Sequence, residues 1–237
     1  MAFHCGPRQK QIITDGLVLY LDAGKTNSYP GTGTTWTDLS GNSLNGTLVN
    51  GPTYNSANQG SIVFDGTNDQ VTVANNSLLN PTTTITIAAY FNISSFGVNS
   101  YAPIILKQNN FNGQFEQYGL FLTSTLVGFV ITGVDRSQKI ASSNLDYRNQ
   151  TVYAVGTCDT SNDEMKFYIN GNLITTIAFT STFDISTNAL GIGGTTGQAA
   201  IAYPGYSNGK IYNVQIYNKV LSQIEVTQNY DALRTRF

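Results

Sequence analysis

The sequence predicts an all-β domain: a two-sheet antiparallel sandwich with one short C-terminal helix. Three observations carry this. Short apolar runs, several alternating apolar and polar with period two, recur along the chain between clusters of Gly, Asn, Ser and Asp. Charged residues make up 11% of the chain, against about a quarter in ordinary soluble domains, and Thr, Asn, Ser and Gly take their place. Those four rank poorly in helix interiors and suit strands joined by tight turns. Finally, strand-like runs do not alternate with helical ones, so a parallel βαβ sheet is not indicated.

In chain order, residues 1–14 read as a polar arm that docks the domain through Arg8 and Lys10, and residues 15–237 as one domain. Gly16 opens the run 17–22, short and apolar enough for a buried strand. Residues 23–46 form a long Gly/Ser/Thr/Asn loop holding the only tryptophan, Trp36. A loop of that length with a large apolar side chain is pinned to the body, so Trp36 reads as a core anchor rather than a ligand platform. Residues 61–65 and 70–74, separated by Gly66-Thr67-Asn68, read as a hairpin. Residues 84–93 become apolar throughout, as a central strand does. The runs 102–107, 118–122, 126–132, 151–158 and 165–169 continue the series. Asn170-Gly171 is a strong hairpin signal linking 165–169 to 173–177. Residues 189–193 and 210–217 complete the β set. Ser222-Gln-Ile-Glu225 is a capping box, after which Val226, Tyr230 and Leu233 share one helix face that can lie on a sheet.

The totals exclude several functions. With a net charge of −2 and only 12 scattered Lys and Arg, the chain lacks the basic stripe of a nucleic-acid binder. No apolar run approaches the roughly 20 residues that cross a bilayer as a helix, and residues 1–15 do not read as a secretory signal. Cys5 and Cys158 read as two free thiols, with a bridge between them as the alternative. The single histidine, His4, lies in the arm, which leaves no Ser–His–Asp triad. Glycoside cleavage needs two carboxylates flanking one bond. The chain has three glutamates: Glu225 belongs to the helix cap, Glu116 follows a polar loop and Glu164 sits in a turn. No catalytic residue is therefore assigned.

Two kinds of binding residue stand out. Asp65 and Asp69 put two carboxylates around one turn, a start toward the oxygen ligands of calcium (Ca2+), with Asp159, Asn162 and Asp163 as a second acidic turn. Turn Asp and Asn more often bond their own backbone, so both roles stay open. Tyr101, Tyr203 and Tyr206 lie in segments rich in Gly, Pro and Ser, and an apolar ring with a hydrogen-bonding tip suits sugars and protein interfaces.

Gly16-Leu-Val-Leu-Tyr-Leu-Asp22, Thr35-Trp-Thr-Asp-Leu-Ser-Gly-Asn42 and Ser61-Ile-Val-Phe-Asp-Gly-Thr-Asn-Asp-Gln-Val71 resemble landmarks of laminin-G-like, concanavalin A-like jelly-roll domains. Phe167-Tyr-Ile-Asn-Gly171, Ile211-Tyr-Asn-Val-Gln-Ile-Tyr-Asn218 and Leu221-Ser222 extend the likeness from about residue 15 to the end. The chain is also similar to stand-alone versions of this domain in tailed phages. The resemblance implies a non-enzymatic virion structural or adhesion protein, on a capsid or fibre, made in the host cytoplasm. Its implied partners are other virion proteins, cell-surface glycans and other copies of itself. A carbohydrate-binding lectin module is the first alternative and a polysaccharide-cleaving enzyme the second. Fold alone decides between none of them.

Overall fold

The computed structural model describes residues 10–97, 100–108, 116–196 and 205–237, which close into two antiparallel eight-stranded sheets. The first sheet runs β14 (Asn172–Ala178), β13 (Glu164–Ile169), β12 (Val152–Asp159), β7 (Thr84–Phe96), β16 (Ser207–Tyr217), β5 (Ser61–Asp65), β4 (Thr53–Asn55). β1 (Leu17–Asp22) pairs with the far half of β16, in line with β5, so one long strand serves two short ones. The second sheet runs β11 (Gln138–Ser143), β10 (Val127–Thr132), β9 (Glu116–Thr123), β8 (Tyr101–Gln108), β15 (Leu190–Ile192), β6 (Gln70–Val73), β3 (Gly46–Val49), β2 (Thr35–Trp36). This is the jelly-roll sandwich the sequence predicts.

Between the sheets lies an aliphatic and phenylalanine core that includes Ile87, Phe91, Phe129, Phe167 and Leu190, all fully buried. Gly156 lacks a side chain because Phe129 fills its space: a Cβ there would lie 2.1 Å from the Phe129 ring. Trp36 is fully buried in this core, and Thr37 N–H donates to the Ser28 carbonyl at 2.8 Å, so the long loop is pinned as expected.

A second layer covers the outer face of the first sheet. Helix α1 (Gln223–Leu233) and residues 10–14 lie over Tyr90, Tyr153, Tyr168, Tyr212 and Tyr217. That cover explains why β12 is an unbroken apolar run, since both of its faces are buried. The helix starts with the expected capping box: Glu225 N–H donates to Ser222 Oγ, and Ser222 N–H to Glu225 Oε2 at 2.8 Å. Beneath it a polar network joins three elements. Asn229 accepts from Ile13 N–H at 2.7 Å and donates to Tyr217 Oη at 2.9 Å, while Tyr153 Oη donates to Gln215 Oε1 at 3.1 Å. At the far end of the helix Arg236 pairs with Asp22 at 2.7 Å, both side chains at least nine-tenths buried.

Two expectations change. Residues 61–74 are not a hairpin: β5 pairs with β16 and β4, whereas β6 pairs with β3 and β15, so the turn at 66–69 arches from one sheet to the other. Strands β2, β3, β4 and β11 add to the predicted set; they are short or largely polar, and so leave little trace in the sequence pattern. Lys10 is engaged within the domain, paired with Asp231 at 2.6 Å, and Gln228 donates to the Gln11 carbonyl. Arg8, His4 and Cys5 lie outside the described residues; Cys158 is a buried free thiol.

Candidate functional site

The arch between the sheets positions the acidic turn. Asp69 is 4% exposed and its carboxylate accepts the Asp65 N–H at 3.1 Å; Asp65 is exposed and accepts the Thr67 N–H at 2.7 Å. Their acidities diverge. Backbone hydrogen bonding from Thr67 holds Asp65 below the usual carboxylate range, while burial, then the Asp65 charge, raises Asp69. Both line a 280 Å³ cleft with Asn50, Gly51 and Phe64. For calcium the set is thin. Each carboxylate already binds its own turn, and the Asn50 amide donates to the Asn68 carbonyl at 2.9 Å. Among the described residues no group of three or more acidic, His or Cys side chains gathers to hold a metal, while Ca2+ wants six to eight oxygens. The second acidic turn is built the same way: Asp159 accepts from Ser161 N–H and the Asn162 amide.

Tyr206 lies beside the arch. A Cβ added at Gly194 would lie 3.0 Å from the Asp69 carbonyl and 3.1 Å from the Tyr206 ring, so turn, glycine and tyrosine meet at one end of the sandwich. Tyr101 opens β8 rather than sitting in irregular chain. It is half-buried, with its ring 5.3 Å from Phe121 and its hydroxyl 3.5 Å from Glu116 Oε1. Burial, then the Glu116 charge, pushes its hydroxyl well above the ordinary range. Tyr203 lies outside the described residues. The three glutamates are all held: Glu116 by Gln138 at 2.7 Å, Glu164 by Lys166 at 2.5 Å, and Glu225 by Ser222 and Lys219.

A larger aromatic recess lies elsewhere, on the outer face of the first sheet, away from every residue the sequence singles out for binding. Two adjoining lobes of 340 and 490 Å³ share Asn170, Tyr230 and Arg234 as their common wall. Tyr90 and Phe237 line the first lobe; Asn172, Leu173 and Gln223 line the second. Tyr90 packs against Tyr153 on β12 and against Phe237, with centroids 4.7 Å apart in each case, and lies 6.2 Å from Tyr230 in near-parallel planes. The Asn170-Gly171 hairpin turn is clamped to the helix: Gln223 donates to the Gly171 carbonyl at 2.6 Å, and a Cβ at Gly171 would lie 3.2 Å from the Tyr230 ring. The Tyr90 hydroxyl is buried and meets no hydrogen-bond partner among the described residues. Outward alternation of tyrosines on successive strands is the one sequence signal for this recess.

Comparison with known proteins locates this architecture. The chain is similar in structure to the binding domain of botulinum neurotoxin DC, solved in complex with rat synaptotagmin II (TM-score 0.71, 18% identity, covering 93% of this chain and 52% of that one). It is similar to a structure of botulinum neurotoxin type C, a toxin whose cell entry is dependent upon interaction with two ganglioside molecules (0.71, 17%, 93% and 52%). It also resembles the binding domain of Paraclostridial Mosquitocidal Protein 1 (0.70, 15%, 92% and 52%). The chain spans about half the length of these structures, and at such identities the likeness shows the fold. No curated protein matches the sequence. A family model matches residues 65–227, most of the chain, across both sheets and into the helix. The chain belongs to the concanavalin A-like lectin/glucanases superfamily.

Proposed function

We propose that this chain is a non-enzymatic glycan-binding domain displayed on a virus particle, as a structural or adhesion component of a tailed-phage virion. The family holds both lectins and glucanases, so the observation that carries the binding half of this reading concerns the acids. Glu116, Glu164 and Glu225 are held by neighbouring side chains, and Asp65 and Asp69 hold together the turn they belong to. A retaining glycosidase needs its two carboxylates on either side of a sugar, about 5–5.5 Å apart, with one free to attack. Two acids of a single four-step turn, each accepting a backbone N–H, are poorly placed for that. The structural relatives support a partner of glycan or receptor type, since one toxin depends on gangliosides for cell entry and another is seen bound to synaptotagmin II. The low charge supports display in variable salt, because contacts made without charge are little screened.

The rival reading is polysaccharide cleavage through Asp65 and Asp69, favoured by the opposite directions in which their acidities shift. Incubating the protein with neutral polysaccharides separates the two. Bound glycan of unchanged chain length supports the lectin reading; shortened chains, abolished by Asp69→Asn, establish the rival. Mass spectrometry of purified particles tests the virion half: the chain is expected among the structural proteins, and its absence removes that half.

A further inference from the structure

We propose that the two-lobed recess on the outer face of the first sheet is a saccharide site, seating two adjacent pyranose rings of a neutral oligosaccharide on either side of Tyr230. The proposal rests on the glycan-binding reading above and adds the place and the chemistry.

Volume comes first. Lobes of 340 and 490 Å³ fall in the range of small-molecule sites, and Asn170, Tyr230 and Arg234 border both, so the two lie side by side. The lining is of two kinds. Aromatic rings stand in the groove, with Tyr230 bordering both lobes and Phe237 41% exposed at the first. The C–H face of a pyranose carries partial positive charge, and the ring face of an aromatic is negative, so stacking is favourable while the sugar hydroxyls stay outward. Amides and hydroxyls surround the rings: Asn170 and Thr151 in the first lobe, Asn172 and Gln223 in the second. Charge is the discriminating feature. Arg234 and Asp231, paired at 2.8 Å, are the two charged residues that line the lobes and they cancel, so the groove offers hydrogen bonds more than a net field. That favours a neutral polyhydroxylated ligand over an acidic sugar or a charged peptide.

An independent observation points to a ligand. Tyr90 is 2% exposed, lines the first lobe, and its hydroxyl has no partner among the described residues. A buried donor left unmatched costs free energy, and a ligand oxygen would satisfy it once the exposed Phe237 ring stacked on Tyr90 shifts aside. The walls are already in place. The hairpin turn is fixed to the helix by Gln223, whose amide donates to the Gly171 carbonyl at 2.6 Å. The groove therefore needs little ordering on binding.

The test uses the full chain and titrates cellohexaose, maltohexaose and a galactose-based hexasaccharide, with sialyllactose as the acidic contrast. Tyr90→Phe removes one oxygen and leaves the ring stack intact. Its melting temperature should be equal to or above that of the parent, while Kd for the bound neutral hexasaccharide rises roughly tenfold. Tyr230→Ala should abolish binding. Because that change also strips packing from the helix, Tyr90→Phe remains the deciding variant. A neutral glycan that binds the parent and Tyr90→Phe equally well places its site elsewhere and overturns the groove, leaving the lectin reading intact. Failure of the parent to bind any neutral probe overturns both. A preference for sialyllactose over the neutral probes overturns the groove as a neutral-sugar site.

Discussion

The first sheet is flanked by two hydrophobic layers built to different rules. Toward the second sheet, Ile, Val, Leu and Phe interdigitate with no room to spare, and Gly156 marks how closely Phe129 approaches. Toward the helix, the layer is made of Tyr90, Tyr153, Tyr168, Tyr212 and Tyr217, with Asn229 and Gln215 among them. The inner layer is held by shape and apolar area. The outer one is held by rings that carry a hydroxyl, hydrogen-bonded where a partner is near and left waiting at Tyr90. The inner layer therefore specifies the fold, and the outer layer is where the chain can tolerate a recess.

The inner layer is most sensitive to truncation at Phe129. Phe129→Ala should cost about 3–5 kcal/mol, since a fully buried ring against a backbone glycine leaves a cavity that neighbours cannot fill. Urea denaturation measures this, and a loss below about 1 kcal/mol would mean the inner layer is loosely packed after all. A milder effect probes the outer layer by pH. Burial raises the phenols of Tyr153 and Tyr217 above their ordinary values. Above about pH 10 the unfolded chain gives up those protons and the fold keeps them. Their contribution is thus complete below about pH 10 and falls as pH rises, by about 1.4 kcal/mol per tyrosine per pH unit. Lys107, fully buried and lowered to about 8 by desolvation, acts in the opposite sense between pH 8 and about 10.4. The tyrosine slope is therefore read above about pH 10.5, where Tyr153→Phe should lower it by one tyrosine's share and an unchanged slope would mean that Tyr153 is not among its sources. The smallest effect concerns the lid itself. Ser222→Ala removes the cap hydroxyl from Glu225 N–H and should cost about 1 kcal/mol. Amide exchange should quicken in α1 while the strands stay protected; uniform loosening would mean the two layers unfold as one.

How much of this is legible in the sequence follows the same division. The long strands show because a period-two or continuous apolar run needs no partner to be recognised: 84–93 lies within β7 and 210–217 within β16. β11, Gln-Lys-Ile-Ala-Ser-Ser, does not show, because only Ala141 and Ser143 are buried along it. Residues 61–74 mislead because a tight turn within a sheet and an arch between sheets have the same local composition. Pairing with β16 and β3 decides, and the composition of the turn carries no trace of either partner. The acidic turn is visible, and its capping role is one of the two readings its residues leave open. The groove is not visible, since Tyr90, Asn170 and Tyr230 come from three distant segments. In sequence Tyr90 and Tyr168 look like ordinary strand residues, although outward alternation is what places Tyr90 beneath the helix.

β16 carries one more consequence, for synthesis. β1 has β16 as its only strand partner among the described residues, and the two meet through pairs such as Leu19 with Ile216. A ribosome must deliver nearly the whole sandwich before the first strand finds its neighbour. Until then that apolar segment is unpaired in the nascent chain, so closure is late, governed by distant contacts, and slow.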